Sequence, residues 1–188
     1  MPDTASMNLH VSDDALARRA QTGDQDALRT LIRRLYPGVR AFVFRMLRHE
    51  EDARDVTQDV FLRMVAHIHE YRGEYKFTTW LFRIAINRAR DIQRTRGRAM
   101  ADIAGLPETA DGVDGPDGLV ATDESRERVL AAVRDLPDTV RESLLLAYQV
   151  GLSHAEIASI LGVTANAVKL RVHKALQLLR QRLRKETR

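Results

Sequence analysis

Cysteine is absent from the 188 residues, which excludes a disulfide framework and any thiolate-bound zinc. No long apolar run occurs, so nothing predicts a membrane-spanning segment. The N-terminus carries Asp3, Asn8, Asp13 and Asp14 where a signal peptide needs a basic start and an apolar stretch. A cytoplasmic protein is therefore expected. The residue sets of catalysis are missing too: no nucleophile has a paired base, no glycine loop suits a phosphate, and no carboxylate pair falls in a predictable cleft. Neither an enzyme nor a cofactor is expected. His67 and His69 are two residues apart and should lie on different helix faces, and no other set has metal-ligand spacing, so no metal site is expected either.

Aromatics are scarce: one Trp, four Tyr and five Phe. Half of them, Tyr71, Tyr75, Phe77, Trp80 and Phe82, crowd into the single stretch EYRGEYKFTTWLF. Such a cluster is either a core staple or a platform on which unpaired bases stack.

Apolar residues, at 44 %, suffice to bury a core, and the net charge of +4 is unevenly spread. From Lys169 onward the chain carries Arg171, Lys174, Arg180, Arg182, Arg184, Lys185 and Arg188 against one acid, Glu186. Between Ala101 and Glu124 it carries Asp102, Glu108, Asp111, Asp114, Asp117, Asp123 and Glu124 with no Lys or Arg. The C-terminal end suits a polyanion and the middle repels one.

Wherever there is periodicity it is helical, and no run alternates with period two. The predicted fold is all-α: two small helical domains joined by a flexible acidic linker. A tail over 1–12 precedes a first domain over 13–96, the linker spans 97–123 and a second domain 124–188. Helices are predicted near 13–22 and 25–46, with a kink or break at Tyr36-Pro37-Gly38. A third is expected over 52–69, its Val56, Val60, Met64 and Ile68 making a buried stripe away from Asp52, Asp55 and Asp59. Thr78 is the expected N-cap of a fourth helix ending near Arg96. The stretch GRAMADIAGLPETADGVDGPDGLVATD is too rich in glycine, proline and acids to offset the entropy of ordering. Helices over 124–135 and 139–149 follow, punctuated by Leu136-Pro137-Asp138.

Two segments combine chemistry with spacing. In GLSHAEIASILGVTANAVKLRVHKAL, Ser153 and Glu156 form a capping box, Gly162 suits a left-handed turn, and Thr164 can cap a second, longer helix. This is a helix-turn-helix pattern. With Val168, Val172, Leu176 and Leu179 inward, the outward arc holds Asn166, Lys169, Arg171, His173 and Lys174, residue types that bond base edges and phosphates in a major groove. In WLFRIAINRARDIQR, Arg83, Asn87, Arg90 and Arg94 share one helical row, with Asp91 a turn beyond Asn87 and able to orient it. A basic ridge behind an aromatic loop fits single-stranded DNA.

Taken together, these segments resemble the extracytoplasmic-function sigma factors of bacterial RNA polymerase, from about Asp13 to Leu183. DARDVTQDVFLRM looks like conserved region 2.2, YRGEYKFTTWLFRIAINRARDIQR like regions 2.3 and 2.4, and LPDTVRESLLLAYQVGLSHAEIASILGVTANAVKLRVHKAL like region 4. The resemblance implies a promoter-specificity subunit. It assigns Asp55, Gln58, Asp59 and Leu62 to the clamp coiled coil of the largest polymerase subunit. The loop Gly73 to Phe77 and the ridge go to the opened minus-ten element: Tyr75, Lys76, Phe77, Arg83, Asn87, Arg90, Asp91 and Arg94. Tyr75 and Phe77 are expected as walls near a flipped base, with Trp80 and Phe82 packing the domain. Thr164, Asn166, Lys169, Arg171, His173 and Lys174 are assigned to the minus-35 duplex. The resemblance further implies contact with the flap of the second-largest subunit, an anti-sigma partner and a monomer when free. Leu170 departs from the pattern, standing where relatives commonly carry a small polar residue, and Lys169 stands where arginine is frequent. A stand-alone helix-turn-helix regulator, with the first domain as a sensor or dimerisation module, is the competing expectation; it predicts tight duplex binding without polymerase.

Overall fold

The computed structural model describes the backbone of residues 11–102 and 123–185 and the side chains of residues 11–96 and 126–184. The predicted tail over 1–12 and the acidic linker therefore lie largely outside the described residues. Those described form two compact bodies, all-helical with no strand among them.

The first body contains α1 (Asp13–Gln21), α2 (Gln25–Leu47), α3 (Glu50–His67), a 3-10 turn (Ile68–Glu70) and α4 (Phe77–Asp102). Caps set the starts. The Ser12 hydroxyl accepts from the Ala15 N–H at 3.2 Å, and Asp13 and Asp14 place negative charge in the first turn, where the helix dipole favours it. Asp24 does the same for α2, accepting from the N–H groups of Asp26 and Ala27 at 3.0 Å. The Ala27 bond, followed by that from Arg19, keeps the Asp24 carboxyl below its ordinary range. At the core, Leu16, Leu31, Val39, Phe42, Val43, Val60, Met64, Leu81 and Ile86 are fully buried.

Three features differ from expectation. α2 runs through Pro37 without a break: Leu31 before the proline and Val39 and Phe42 after it are buried in the same core, and that packing holds the helix together across the missing hydrogen bond. The fourth helix begins at Phe77, so Thr78 is inside it and is not its cap. Asp14, reaching across from α1, accepts the Phe77 N–H at 2.6 Å in Thr78's place. The same helix continues to Asp102, beyond the expected end near Arg96.

The second body contains α5 (Asp123–Arg134), α6 (Asp138–Tyr148), α7 (His154–Leu161) and α8 (Ala165–Lys185). Arg141 is buried at the α5–α6 turn; its guanidinium donates to the Leu136 carbonyl at 2.9 Å and to Asp138 at 2.6 Å. A buried cation is tolerable only when bonded in this way. Leu136, Leu144, Leu146, Ile157, Leu161 and Val168 make the core.

Candidate nucleic-acid interfaces

In the first body the loop between the 3-10 turn and α4 is pinned from beneath. Gln21 donates to the carbonyls of Ile68 at 2.9 Å and Tyr71 at 2.7 Å. The Tyr71 hydroxyl donates to the same Asp14 oxygen that caps α4, at 2.8 Å, and lies equally close to the Tyr75 carbonyl. Burial, and after it the Asp14 carboxylate, pushes the Tyr71 phenol well above its ordinary range, so it stays neutral. The Tyr71 and Phe77 rings meet edge to face at 5.2 Å, and Trp80 leans on both.

This arrangement divides the aromatic cluster differently from the expectation. Phe77 has no exposed surface, so it is a staple under the loop and not a wall of a base pocket. Phe82 is buried as expected, packed edge-on against Phe42, whereas Trp80 is only half-buried. The exposed tip consists of Arg72 to Lys76, with Gly73 taking φ +75° to turn the chain. Tyr75 is 44 % exposed, and the Arg83 guanidinium lies 5.7 Å from its ring centroid. Sequence reasoning missed Asp14 and Gln21, which fix the loop from a helix more than 40 residues away; no local pattern marks them.

Along α4, Asn87 and Arg94 are exposed and Arg83 and Arg90 half-buried, so the row is a continuous polar ridge. Asp91 does not orient Asn87. Its carboxylate pairs with Arg94 and, at 3.2 Å, with Arg88, which leaves the Asn87 amide turned to solvent.

α3 presents Asp55, Gln58 and Leu62 outward, and Leu62 is 62 % exposed. Asp59 is different: Arg63 at 2.9 Å and Arg88 of α4 hold it. Burial alone would raise its pKa, but the two arginine hydrogen bonds outweigh that and lower it. Beside this face runs a groove of about 300 Å³ between Ile32 and Tyr36 of α2 and Arg54, Gln58, Phe61, Leu62 and Val65 of α3. Tyr36 and Val65, exposed apolar residues absent from the predicted set, make this surface more apolar than its carboxylates suggest.

His67 and His69 share a side, with rings stacked at 6.3 Å, because the chain tightens into a 3-10 turn at Ile68. Their neighbour Glu70 accepts from His67 at 2.8 Å, which lowers its pKa. Among the described residues no group of His, Asp or Glu is arranged to hold a metal ion.

The helix-turn-helix of the second body has the predicted joints. Ser153 and Glu156 complete a reciprocal capping box, Gly162 ends α7 at φ +67°, and the Thr164 hydroxyl accepts from the Ala167 N–H at 3.1 Å. Val168, Val172 and Ala175 are the buried stripe of α8, with Leu176 and Leu179 half-covered beside it. Asn166, Lys169, His173 and Lys174 are exposed, and so is Leu170; Arg171 is half-buried toward one flank.

Residues 31–99 match the family model of sigma-70 region 2, and residues 126–179 that of sigma-70 region 4. The chain belongs to the extracytoplasmic-function sigma factors. It is 29 % identical over 182 residues to the ECF RNA polymerase sigma-E factor of Escherichia coli K12, covering 92 % of this chain and 95 % of the relative. The sigma-E factor of Haemophilus influenzae is 28 % identical, with 94 % and 98 % covered, and the sigma-H factor of Pseudomonas aeruginosa 28 %, with 89 % and 91 % covered. Among solved structures, CnrH in complex with the cytosolic domain of CnrY superposes with a TM-score of 0.68 at 28 % identity, covering 92 % and 97 %. The sigma factor RpoE of Bartonella quintana, bound to the anti-sigma factor NepR, shares the fold with a TM-score of 0.73 at 24 % identity, covering 83 % and 96 %. As a sigma factor the chain is the promoter-specificity subunit of bacterial RNA polymerase, a regulatory subunit in a family without enzymatic activity. The region 2 match through α2, α3 and α4 does not favour a stand-alone regulator. Among the described residues no helix is long and apolar enough to cross a membrane.

Proposed function

We propose that the two bodies of this sigma factor divide one promoter between them. The first, over 13–96, docks on the polymerase clamp through Asp55, Gln58 and Leu62 and the apolar groove beside them. It receives the melted minus-ten strand on the loop tip and the α4 ridge. Tyr75 stacks on an extruded base, Lys76, Arg83, Arg90 and Arg94 follow the backbone, and Asn87 bonds a base edge. Asp91 serves as a brace for Arg88 and Arg94. Asp59 acts from within, holding α3 to α4 through Arg88. The second body, over 124–188, lays α8 in the minus-35 major groove, with Thr164, Asn166, Lys169, His173 and Lys174 facing DNA and Arg171 on the flank. The linker over 97–123 sets the span between them. The sigma factor acts in the cytoplasm, is a monomer when free, also meets the polymerase flap, and is held inactive by an anti-sigma partner.

One observation carries the minus-ten reading: an exposed tyrosine, backed by a cation at 5.7 Å, stands on a buried, hydrogen-bonded base at the head of a polar ridge. Extruding a base costs a few kcal/mol, which stacking at about 1 to 3 kcal/mol per base and edge contacts can offset. No reaction on the DNA is required. The test is promoter-dependent run-off transcription by core polymerase with and without the chain. The proposal expects transcripts only with it; unchanged transcription on adding it contradicts the proposal.

A further inference from the structure

Leu170 is among the most exposed large apolar side chains described, with 62 % of its surface open. Two residues from both buried valines, Val168 and Val172, it points about 160° away from each at 3.6 residues per turn. It therefore stands at the centre of the outward face of α8, in one row with Asn166 and His173, which are also exposed. Lys169 and Lys174 lie to either side of that row. An isolated surface leucine needs no explanation, but this one occupies the middle of a polar, cationic reading face. On the major-groove edges of the four bases the apolar group is the thymine 5-methyl; the rest of the edge pattern is donors and acceptors.

We propose that Leu170 is a specificity-determining residue that reads a thymine 5-methyl group in the upstream duplex. The inference rests on the reading that α8 enters that groove. Lys169 and Lys174 fix the helix through phosphates without regard to sequence, and Leu170 is brought against the base edges between them. A donor or acceptor opposite the leucine is left without its water and without a partner, so guanine, cytosine and adenine are disfavoured there. A methyl group loses only unfavourable hydration.

The test uses holoenzyme assembled from the full chain and core polymerase. Upstream elements are selected from promoters randomised in that region, and each thymine of the selected sequence is exchanged singly for deoxyuridine, which removes the methyl and nothing else. Wild-type binding is expected to fall about four-fold at one thymine, the equivalent of ~0.8 kcal/mol for one buried methyl group. Leu170→Ala is expected to bind the thymine and deoxyuridine forms of that position equally, with an unchanged melting temperature. Selected thymines that are all exchangeable without loss, or a Leu170→Ala protein that keeps the four-fold difference, overturn the role of Leu170 alone. A selection that enriches no upstream sequence overturns the assignment of α8 to the groove, and this inference with it.

Discussion

Tyr75 and Phe77 are two residues apart and chemically alike, yet the fold gives them opposite tasks. Phe77 is sealed beneath the loop, whereas Tyr75 stands open on top of it. Phe77→Ala is expected to lower stability by about 3 to 5 kcal/mol, as for other buried aromatics. Tyr75→Ala should lie within about 0.5 kcal/mol of wild type but leave the minus-ten region closed. Thermal unfolding of the full chain and permanganate footprinting of the holoenzyme separate the two effects. Tyr71 yields a pH prediction. Its phenol ionises later in the folded protein than in the unfolded chain, so its contribution is complete below the ordinary tyrosine pKa of about 10 and is lost as pH rises above it. Tyr71→Phe should flatten the alkaline fall in stability, measured as melting temperature against pH. The sequence could not separate these aromatics. What decides their burial is Asp14, 63 residues before Phe77, and a single carboxylate in a helix first turn reads as a dipole partner only.

Among the elements, the helix-turn-helix was the most legible because its joints are local. A capping box, a left-handed glycine and a threonine cap each act within four residues, so their types and spacing suffice. Gly162→Ala places a side chain at φ +67° and should cost roughly 1 to 2 kcal/mol, seen in thermal unfolding of the second body. The first body was legible in its stripes and less so at its ends. Pro37 signalled a break that core packing on both sides of it overrides. Thr78 signalled a start that Asp14 pre-empts. The surface proposed to face the polymerase was read from α3 alone, as Asp55, Gln58, Asp59 and Leu62, because their spacing lies within one helix. Tyr36 comes from α2, and its meeting with Leu62 and Val65 depends on how α2 and α3 pack. Leu62→Asp is expected to weaken binding to core polymerase at least ten-fold while leaving melting unchanged, as checked by titration of labelled core.

At the scale of the molecule, the proposed division of the promoter between the two bodies implies that the free chain should bind duplex promoter weakly and gain affinity on the polymerase. Lys169→Ala with Lys174→Ala should reduce the salt slope of holoenzyme binding by about 0.9 for each phosphate that is no longer neutralised, without changing which bases become unpaired. The most direct measurement is therefore permanganate reactivity of minus-ten thymines, taken alongside binding, for holoenzymes carrying Asn87→Ala or the Lys169→Ala and Lys174→Ala pair. Asn87→Ala is predicted to bind the promoter and fail to open it, and the lysine pair to bind weakly yet open what it binds. Equal opening by Asn87→Ala and wild type at matched occupancy would contradict the division of the promoter between the two bodies.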